Sequence, residues 1–252
     1  MRDQSSVHTV ARALDMLAGF DQDRQELAIR EFAALLDVHK STASRLASTL
    51  TSRGFLQRVA GSDTFRLGPE AARIGLLAIG GRALVETARP TLDTLAAETG
   101  ETVTLSVPAG AEALDVAQAD SSYRIGASTW IGRRTPLHAS SDGKVLLAFG
   151  AAELPPGALP ALTTHTVTRR GALERQLEEI RVCGWATAVG DFEEGLNGVA
   201  APIFGRGGDC VGALSVSGPE YRVPASRLAK LGPLTAAAAR TIGTRLDARA
   251  AA

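Results

Sequence analysis

The stretch from residue 27 to residue 68 constrains the fold of this chain most strongly, because two short amphipathic helices and a hairpin follow one another within it. The apolar residues at helical spacing are Ile29, Phe32, Ala33 and Leu36 in the first helix and Ala43, Leu46, Ala47 and Leu50 in the second. Gly54 stands where the second helix should end. Residues 55–67 then alternate around a turn at residues 60–63, as two strands do. This order of elements predicts a winged helix-turn-helix domain.

The exposed side of the second helix is predicted to be polar and basic. Its short hydroxyl side chains and its guanidinium suit phosphates and base edges in a major groove. Between Val38 and Gly68 there are five basic residues and one acidic residue, which favours a polyanionic partner. The residues that we expect to contact double-stranded operator DNA are Lys40, Ser41, Thr42, Ser44 and Arg45 of the helix and Arg58 and Arg66 of the wing. Alternatively, the hydroxyls merely solvate the surface of a small helical domain.

The composition of the whole chain limits the possible classes of protein. Its 252 residues allow two domains, and 45% hydrophobic residues suffice for packed cores. The formal net charge is zero, so specific sites must provide any affinity for DNA. No apolar run reaches the length of a membrane span and charges interrupt the N-terminal segment, so we expect a cytoplasmic protein with no membrane partner. Cys183 and Cys210 lack the number and spacing for disulfides or metal, which predicts two small core residues.

Helices are predicted on both sides of the central helix pair. An additional helix before the pair should pack beneath it, and its apolar residues are Val10, Ala13, Leu14 and Leu17. After the wing, Pro69 stands at a plausible first helical position and opens a segment that reaches about Arg89. Its glycines make it a poor isolated helix, so we expect a linker helix stabilised by packing, for example against a second subunit. Pro90 should end or bend this helix.

The rest of the chain combines strand and helix patterns, as an α+β domain does. A helix that stops at Gly100 precedes a strand in which Val103, Leu105 and Val107 alternate with polar residues. Further strands are expected at 113–119, 124–130, 199–204 and 210–217. Helices are expected from the cap at residues 140–143 to Phe149, around 173–180, and from 228 to 246.

Three segments carry a resemblance to a known family. They are HKSTASRLASTLTSRGFL, TPLHASSDGKVLLAF and EEGLNGVAAPIFGRGGDCVGALSVSGP, and they span nearly the whole chain. With them, the chain resembles transcriptional regulators of the isocitrate-lyase-regulator (IclR) family. The resemblance implies a winged helix-turn-helix (residues 1–68), a linker helix (69–89) and a C-terminal GAF-like effector-binding domain (90–252). It also implies a homodimer or homotetramer on operator DNA, and a small organic or aromatic acid as the effector.

The C-terminal part contains a candidate site for a carboxylate. Strand alternation puts Ser215 and Ser217 on one face and Cys210 on the other, so the two hydroxyls lie about 6.5 to 7 Å apart along the strand. The backbone N–H groups around Ser141 and Asp142, at a helix start, would attract an anion. The two serines could instead hydrogen-bond to their own neighbours.

The resemblance assigns carboxylate binding to five positions, which are Ser141, Asp142, Gly198, Ser215 and Ser217. Gly198 departs from the family, in which Cys or Ser is common at this place, and Ala188 stands where some relatives carry an acidic side chain. A polar contact is therefore missing and volume is freed. The departure predicts an acid that is longer or more apolar than a two-carbon acid, such as an aromatic one.

Other polar residues are weaker candidates. His138 could touch an effector, but a structural hydrogen bond is the simpler expectation. With Asp191, Glu193 and Glu194 it could bind a metal, although the spacing favours a solvated acidic loop and no metal site. Residues 205–208, Gly-Arg-Gly-Gly, lack the Lys-Ser/Thr ending of a phosphate loop and predict a hairpin turn.

An enzyme with an accessory DNA-binding head is the alternative function. Ser215 or His138 would then act as nucleophile or base on a small acid. The sequence has no nucleophile elbow, no acid/base pair at informative spacing and no cofactor loop, so we predict no catalytic residue and no cofactor. A ligand-controlled DNA-binding regulator accounts for both halves of the chain and is the function that the sequence favours.

Overall fold

The computed structural model describes residues 7–21, 24–78, 82–123 and 129–250, and the chain divides into two units, Met1–Arg82 and Ala83–Ala252. The described elements of the first unit are α1 His8–Ala18, β1 Leu27–Ala28, α2 Ile29–Leu35, α3 Lys40–Ser52, β2 Leu56–Arg58, β3 Thr64–Leu67 and α4 Pro69–Ala78. Its antiparallel sheet has the order β1-β3-β2, so the predicted hairpin gains a short third strand. The predicted winged helix-turn-helix is confirmed.

A small shared core holds the first unit together. The stripes predicted for α2 and α3 bury Phe32 and Leu46, and the ring of Phe32 meets those of Phe20 and Phe65 at 5.7 and 6.2 Å. On α1, Met16 is fully buried. The apolar face predicted for α1 was partly wrong. Its members Val10 and Leu14 are 55% and 60% exposed, because α1 carries apolar residues on more than one face and periodicity alone does not select the packed one.

The second unit is an antiparallel sheet between two layers of helices. Its described elements are α5 Arg82–Thr99, β4 Thr102–Ala109, β5 Glu112–Ala119, β6 Arg134–Pro136, α6 Ser141–Ala148, α7 Arg170–Cys183, β7 Ala186–Val189, β8 Leu196–Phe204, β9 Cys210–Pro219 and α8 Ala225–Ala250. The strand order is β6-β5-β4-β9-β8-β7. The predicted α+β class is confirmed. The short strands β6 and β7 were not predicted, and residues 124–128 of the strand expected at 124–130 lie outside the described residues.

Each face of the sheet has its own core. Leu92 of α5 and Ile242 of α8 pack with Leu214 and Val216 on one face. Val145 and Leu146 of α6 and Leu173 of α7 pack with Ala200 and Ala213 on the other. The face under α6 is therefore lined by small side chains, which leaves room for a cavity.

Pro90 does not end a helix. Helix α5 runs through it to Thr99, so the domain boundary predicted at residue 90 falls inside this helix. Pro90 removes one backbone hydrogen bond, but Ala88, Leu92 and Leu95 on either side of it are all buried in one core, which holds the helix together. Residues 79–81 of the predicted linker helix lie outside the described residues.

A β-bulge puts Cys210 on the face opposite to the one predicted. Ile203 pairs with Gly212 and Phe204 with Cys210, so β9 has one extra residue at this point. Cys210 consequently packs with Ala213 on the face of α6. The prediction that both cysteines are core residues holds for Cys210 and is wrong for Cys183, which is exposed in the last turn of α7.

Candidate nucleic-acid interface and ligand cavity

Helix α3 presents the polar face that the sequence predicts. It begins at Lys40 after the cap residue His39, whose Nδ1 accepts a hydrogen bond from the backbone N–H of Ser41. The predicted DNA-contacting residues that are exposed are Lys40, Ser41, Ser44, Arg45, Arg58 and Arg66. Thr42 is half-buried. The opposite face of α3 is buried in the core, so the polar face is fixed in its orientation.

A surface groove joins α3 to the wing. Lys40 and Ser44 line it together with Arg58 of β2, and Arg30 of α2 adds a further positive charge that the sequence analysis missed. The guanidinium of Arg58 also forms an exposed ion pair with Asp63 at 2.8 Å. An exposed pair of this kind contributes about 0–1 kcal/mol and gives way easily to a phosphate.

All five residues predicted to bind the effector line one cavity, between the sheet and the start of α6. It encloses about 470 Å³ of empty space, part of which is open solvent. The described residues that complete its lining are Thr104, Asp115, Trp130, Thr135, Ser140, Ala188, Phe192, Leu196 and Asn197.

The register of the strands explains how these residues meet. Gly198 of β8 lies beside Ser217 of β9, and Ser215 lies beside Thr104 of β4. A Cβ atom added to Gly198 would lie 3.1 Å from Ser141 Oγ and 3.6 Å from Ser217 Cβ. Gly198 therefore borders the space between the two serines, and a larger residue there would reduce it.

The start of α6 is built as predicted. Ser140 caps the helix, and its hydroxyl accepts a hydrogen bond from the N–H of Gly143 at 3.1 Å. Gly143 is packed so closely that an added Cβ would lie 2.5 Å from Leu137 Cα. The next residue, Lys144, is buried and forms an ion pair with Asp191 at 2.6 Å. This ion pair ties α6 to the loop that carries Phe192.

The serines differ in their hydrogen bonds. The hydroxyls of Ser215 and Thr104 lie 2.6 Å apart, which is the neighbour contact that the sequence analysis kept open as an alternative. Within the described ranges, the hydroxyls of Ser141 and Ser217 have no hydrogen-bond partner in the protein. These two are therefore the serines of the cavity that are available to a ligand.

Two buried carboxyl groups make the cavity acidic. Burial raises the pKa of Asp115 well above its usual range, and the neighbouring Asp142 raises it further. Burial also raises the pKa of Asp142, although hydrogen bonds, first from Ser106 and then from the N–H groups at the start of α6, oppose this rise. The carboxyl of Asp142 thus occupies part of the helix start that the sequence analysis assigned to an external anion.

Asp115 and the aromatic pair were missed by the sequence analysis. Asp115 interrupts the apolar strand at 113–119, and a buried acid in such a strand was the available signal. Trp130 and Phe192 come from separate loops, with ring centroids 6.2 Å apart, and no local pattern brings them together.

The weaker candidates have structural partners. His138 Nε2 donates to the carbonyl oxygen of Pro160 at 2.9 Å, the kind of hydrogen bond that the sequence favours. Asp191 is taken up by Lys144, and in the described part of the chain no three His, Cys, Asp or Glu residues gather closely enough to hold a metal ion. Residues 205–209 form the predicted hairpin turn, with Gly207 and Gly208 at positive φ. No helix of the described residues has both the length and the apolar character of a membrane span.

Two family models match the chain. Residues 9–60 match the IclR helix-turn-helix domain, and residues 77–244 match the model described as bacterial transcriptional regulator IclR, C-terminal. Together these ranges cover most of the chain and fall on its two units.

Individual relatives extend over nearly the whole chain. It is 34% identical over 245 residues to the HTH-type transcriptional regulator BhcR of Paracoccus denitrificans (strain Pd 1222), with 95% of this chain and 88% of that protein covered. It is 31% identical over 230 residues to the HTH-type transcriptional regulator XynR of Escherichia coli (strain K12), with 88% and 90% covered. A crystal structure of an IclR homolog from Microbacterium hydrocarbonoxydans, complexed with 4-hydroxybenzoate, is similar with a TM-score of 0.78 and 27% identity, covering 96% of this chain and 99% of that one.

Proposed function

The chain belongs to the IclR family of bacterial transcriptional regulators, and from this we propose that it binds operator DNA under the control of a small organic acid. One observation carries the proposal. The same chain holds an exposed basic face on α3 and the wing and, in its second unit, a cavity lined by all five predicted effector residues. The protein would act in the cytoplasm as a homodimer or homotetramer.

The two parts of the chain have separate roles in this proposal. Residues 1–68 would bind DNA, 69–89 would link, and 90–252 would bind the effector. Lys40, Ser41, Thr42, Ser44 and Arg45 would enter a major groove, and Arg58 and Arg66 would contact phosphates. The 4-hydroxybenzoate in the similar structure supports an organic acid as ligand class, and Trp130 and Phe192 in the cavity favour an apolar or aromatic body.

An enzymatic function receives less support. The hydroxyl of Ser215 is hydrogen-bonded to Thr104 rather than to a base, and His138 is bound to a backbone carbonyl and does not line the cavity. A nucleophile needs a general base within hydrogen-bond reach. The geometry therefore favours binding over turnover.

Operator selection followed by titration tests the proposal. DNA sequences that the purified protein retains are selected from a random pool, and affinity is measured by fluorescence anisotropy. Arg45→Ala should weaken binding of the selected DNA by about 1–3 kcal/mol if Arg45 contacts a guanine. Arg175→Ala, which removes the same charge from the exposed face of α7, should change affinity little. An unchanged affinity of the Arg45 variant would show that the recognition face is assigned wrongly.

Control by a ligand is tested separately. A panel of organic and aromatic acids is screened by thermal unfolding, since a ligand at 100 times its Kd adds about 2.7 kcal/mol to the stability of the native state. An acid that stabilises the protein should change operator affinity in the anisotropy assay and should be recovered unaltered by mass spectrometry. A new product would instead favour the enzyme.

A further inference from the structure

Two carboxyl groups meet at the cavity without an ion-pair partner. Asp115 on β5 and Asp142 on α6 are 4% and 7% exposed. Among the described residues neither forms an ion pair, and no Lys, Arg or His belongs to the described lining of the cavity. Lys144, which follows Asp142 closely in α6, is held by Asp191. The protein itself thus leaves this end of the cavity acidic.

One hydroxyl serves both carboxyls. Ser106 Oγ donates to Asp115 Oδ1 at 2.6 Å and also acts on Asp142. A hydroxyl has one proton to donate, so it satisfies one carboxylate at a time. An ionised carboxylate that is buried without a partner is costly. Asp142 also accepts hydrogen bonds from the N–H groups at the start of α6, so the two carboxyls have donors, but no ion pair with a cation compensates their charge.

A second observation indicates that the ligand also carries a hydrogen-bond acceptor for the serine hydroxyls of the cavity. Ser141 as a residue is 5% exposed and lines the cavity, and its hydroxyl has no hydrogen-bond partner among the described residues. A hydroxyl that faces a cavity without a partner in the protein can donate to a ligand. Ser217 lies on the same side of the cavity, across Gly198 from Ser141. The cavity thus lacks a paired cation at its acidic end and an acceptor at its serine end.

We propose that the effector is an amino acid or a similar zwitterion, with its protonated amine against Asp115 and Asp142 and its carboxylate accepting hydrogen bonds from Ser141 and Ser217. The inference rests on the proposed function, since it names the effector class of the same cavity. A plain organic acid would place its negative charge near two carboxyls and would not supply a cation to pair with them.

Matched pairs of ligands that differ only in the amine test the inference. The probes are 4-(aminomethyl)benzoate against 4-methylbenzoate, phenylalanine against 3-phenylpropanoate, and 4-aminobutanoate against butanoate. By calorimetry, the amine of at least one pair should bind about tenfold or more tighter than its partner, as expected for a charged hydrogen bond. Equal or tighter binding of the plain acid in every pair, or no binding of any amine at millimolar concentration, overturns the inference.

Proton linkage gives an independent readout. The charged and titratable groups around the amine are Asp115 from β5, Asp142 from α6 and Arg133 from the segment before β6, which lowers the pKa of Asp115. An ammonium favours the ionised carboxyls, so its binding should release protons. The number released is measured by calorimetry in buffers of different ionisation enthalpy. Proton uptake would mean that a protonated carboxyl donates to the ligand, and would contradict the inference.

Variants locate the amine in the cavity. Asp142→Asn and Asp115→Asn keep the shape of each side chain and remove its charge, and each should reduce the preference for the amine to about twofold or less. Asp209→Asn, in the exposed hairpin turn, should keep the wild-type preference. A preference that survives in both cavity variants overturns the inference. If one variant fails to fold, the other variant and the ligand pairs still decide.

The operator assay separates this inference from the proposed function. A zwitterion that binds selectively but leaves operator affinity unchanged overturns regulation and supports the effector class. A plain acid that changes operator affinity, with no amine bound, supports regulation and overturns the effector class.

Discussion

Gly198 limits the size of ligand that the cavity accepts. Its backbone does not have a positive φ, so a side chain would not strain it, but a Cβ there would lie 3.1 Å from Ser141 Oγ and 3.6 Å from Ser217 Cβ, and Ser141 would have to move slightly. We expect Gly198→Cys to keep the fold and to lower affinity for aromatic ligands by about 1–3 kcal/mol, with a smaller effect on ligands of two to four carbons. Calorimetry with Gly198→Ala as an intermediate and Gly171→Ser, which faces open space, as a control measures this. Equal losses for small and large ligands would contradict it.

The two buried carboxyls make stability depend on pH. Burial raises the pKa of both, so the folded state holds their protons more tightly than the unfolded chain does. Their contribution to stability is then full below the usual range of carboxyl pKa values and is lost as pH rises through the raised pKa. Asp142→Asn carries no charge at any pH, and we expect it to raise the free energy of unfolding by about 1–2 kcal/mol above neutral pH.

Denaturant titrations at several pH values check this expectation. The gain of Asp142→Asn over the wild type should shrink as pH falls toward the usual range of carboxyl pKa values, because the raised pKa favours protonation of the wild-type carboxyls there. Asp209→Asn, at an exposed position, serves as the control. A gain that is the same at all pH values, or a loss throughout, would mean that burial of charge is not what destabilises this site.

Sequence reasoning found the serines of the cavity more easily than its acids. Strand alternation places Ser215 and Ser217 on one face, the helix start points to Ser141 and Asp142, and the family resemblance adds Gly198. Asp115 reaches the same cavity only because β5, β4 and β9 are adjacent and antiparallel, and this register is set by tertiary packing. Local patterns do not contain that information.

The wing offers two arginines with different surroundings. Arg58 is paired with the carboxylate of Asp63, whereas Arg66 donates to the neutral Gln57 Oε1 at 3.3 Å. Each phosphate contact contributes about 0.9 to the slope of log affinity against log salt. We expect Arg66→Ala to lower this slope by about one unit and Arg58→Ala to lower it by less, because Asp63 already offsets part of the charge of Arg58.

Anisotropy titrations of the selected operator at four or more salt concentrations measure the slopes. Asp63→Asn should raise affinity, since it frees Arg58 from its partner. Slopes that do not change in either arginine variant would remove the wing from the interface.

Helices and strands were predicted correctly where the local sequence pattern is compatible with one structure. They were missed where several structures fit the pattern and tertiary packing decides among them. The capped start of α6 and the apolar stripes of α2 and α3 were each compatible with one structure. Pro90 lies inside α5 because one buried face continues across it. Cys210 lies on the face opposite to the predicted one because of a β-bulge that the residue pattern does not predict. Tertiary contacts decide such cases, since each local preference is worth only about 1–3 kcal/mol.

Operator recognition and the exposed apolar face of α1 both point to more than one copy of the chain. A single recognition helix buries little surface on DNA, and two copies related by symmetry would contact two half-sites about 34 Å apart. Val10 and Leu14 on α1 and Val7 just before it follow one another at helical spacing, and all three are exposed in the single chain. We expect a second copy to cover this stripe, because monomeric proteins rarely expose contiguous apolar surface.

Sedimentation tests this expectation with a matched pair of variants. The wild type should sediment as a dimer or tetramer at micromolar concentration. Leu14→Glu should shift it toward smaller species or, if other contacts hold the copies together, should weaken operator binding by at least about tenfold, because a buried unpaired charge is costly. Val182→Glu places the same charge on another exposed apolar residue, in α7, and should change neither property. A wild type that stays monomeric with and without operator would rule out binding of DNA by two symmetry-related copies. An unaffected Leu14 variant would show that the contact between copies does not involve α1.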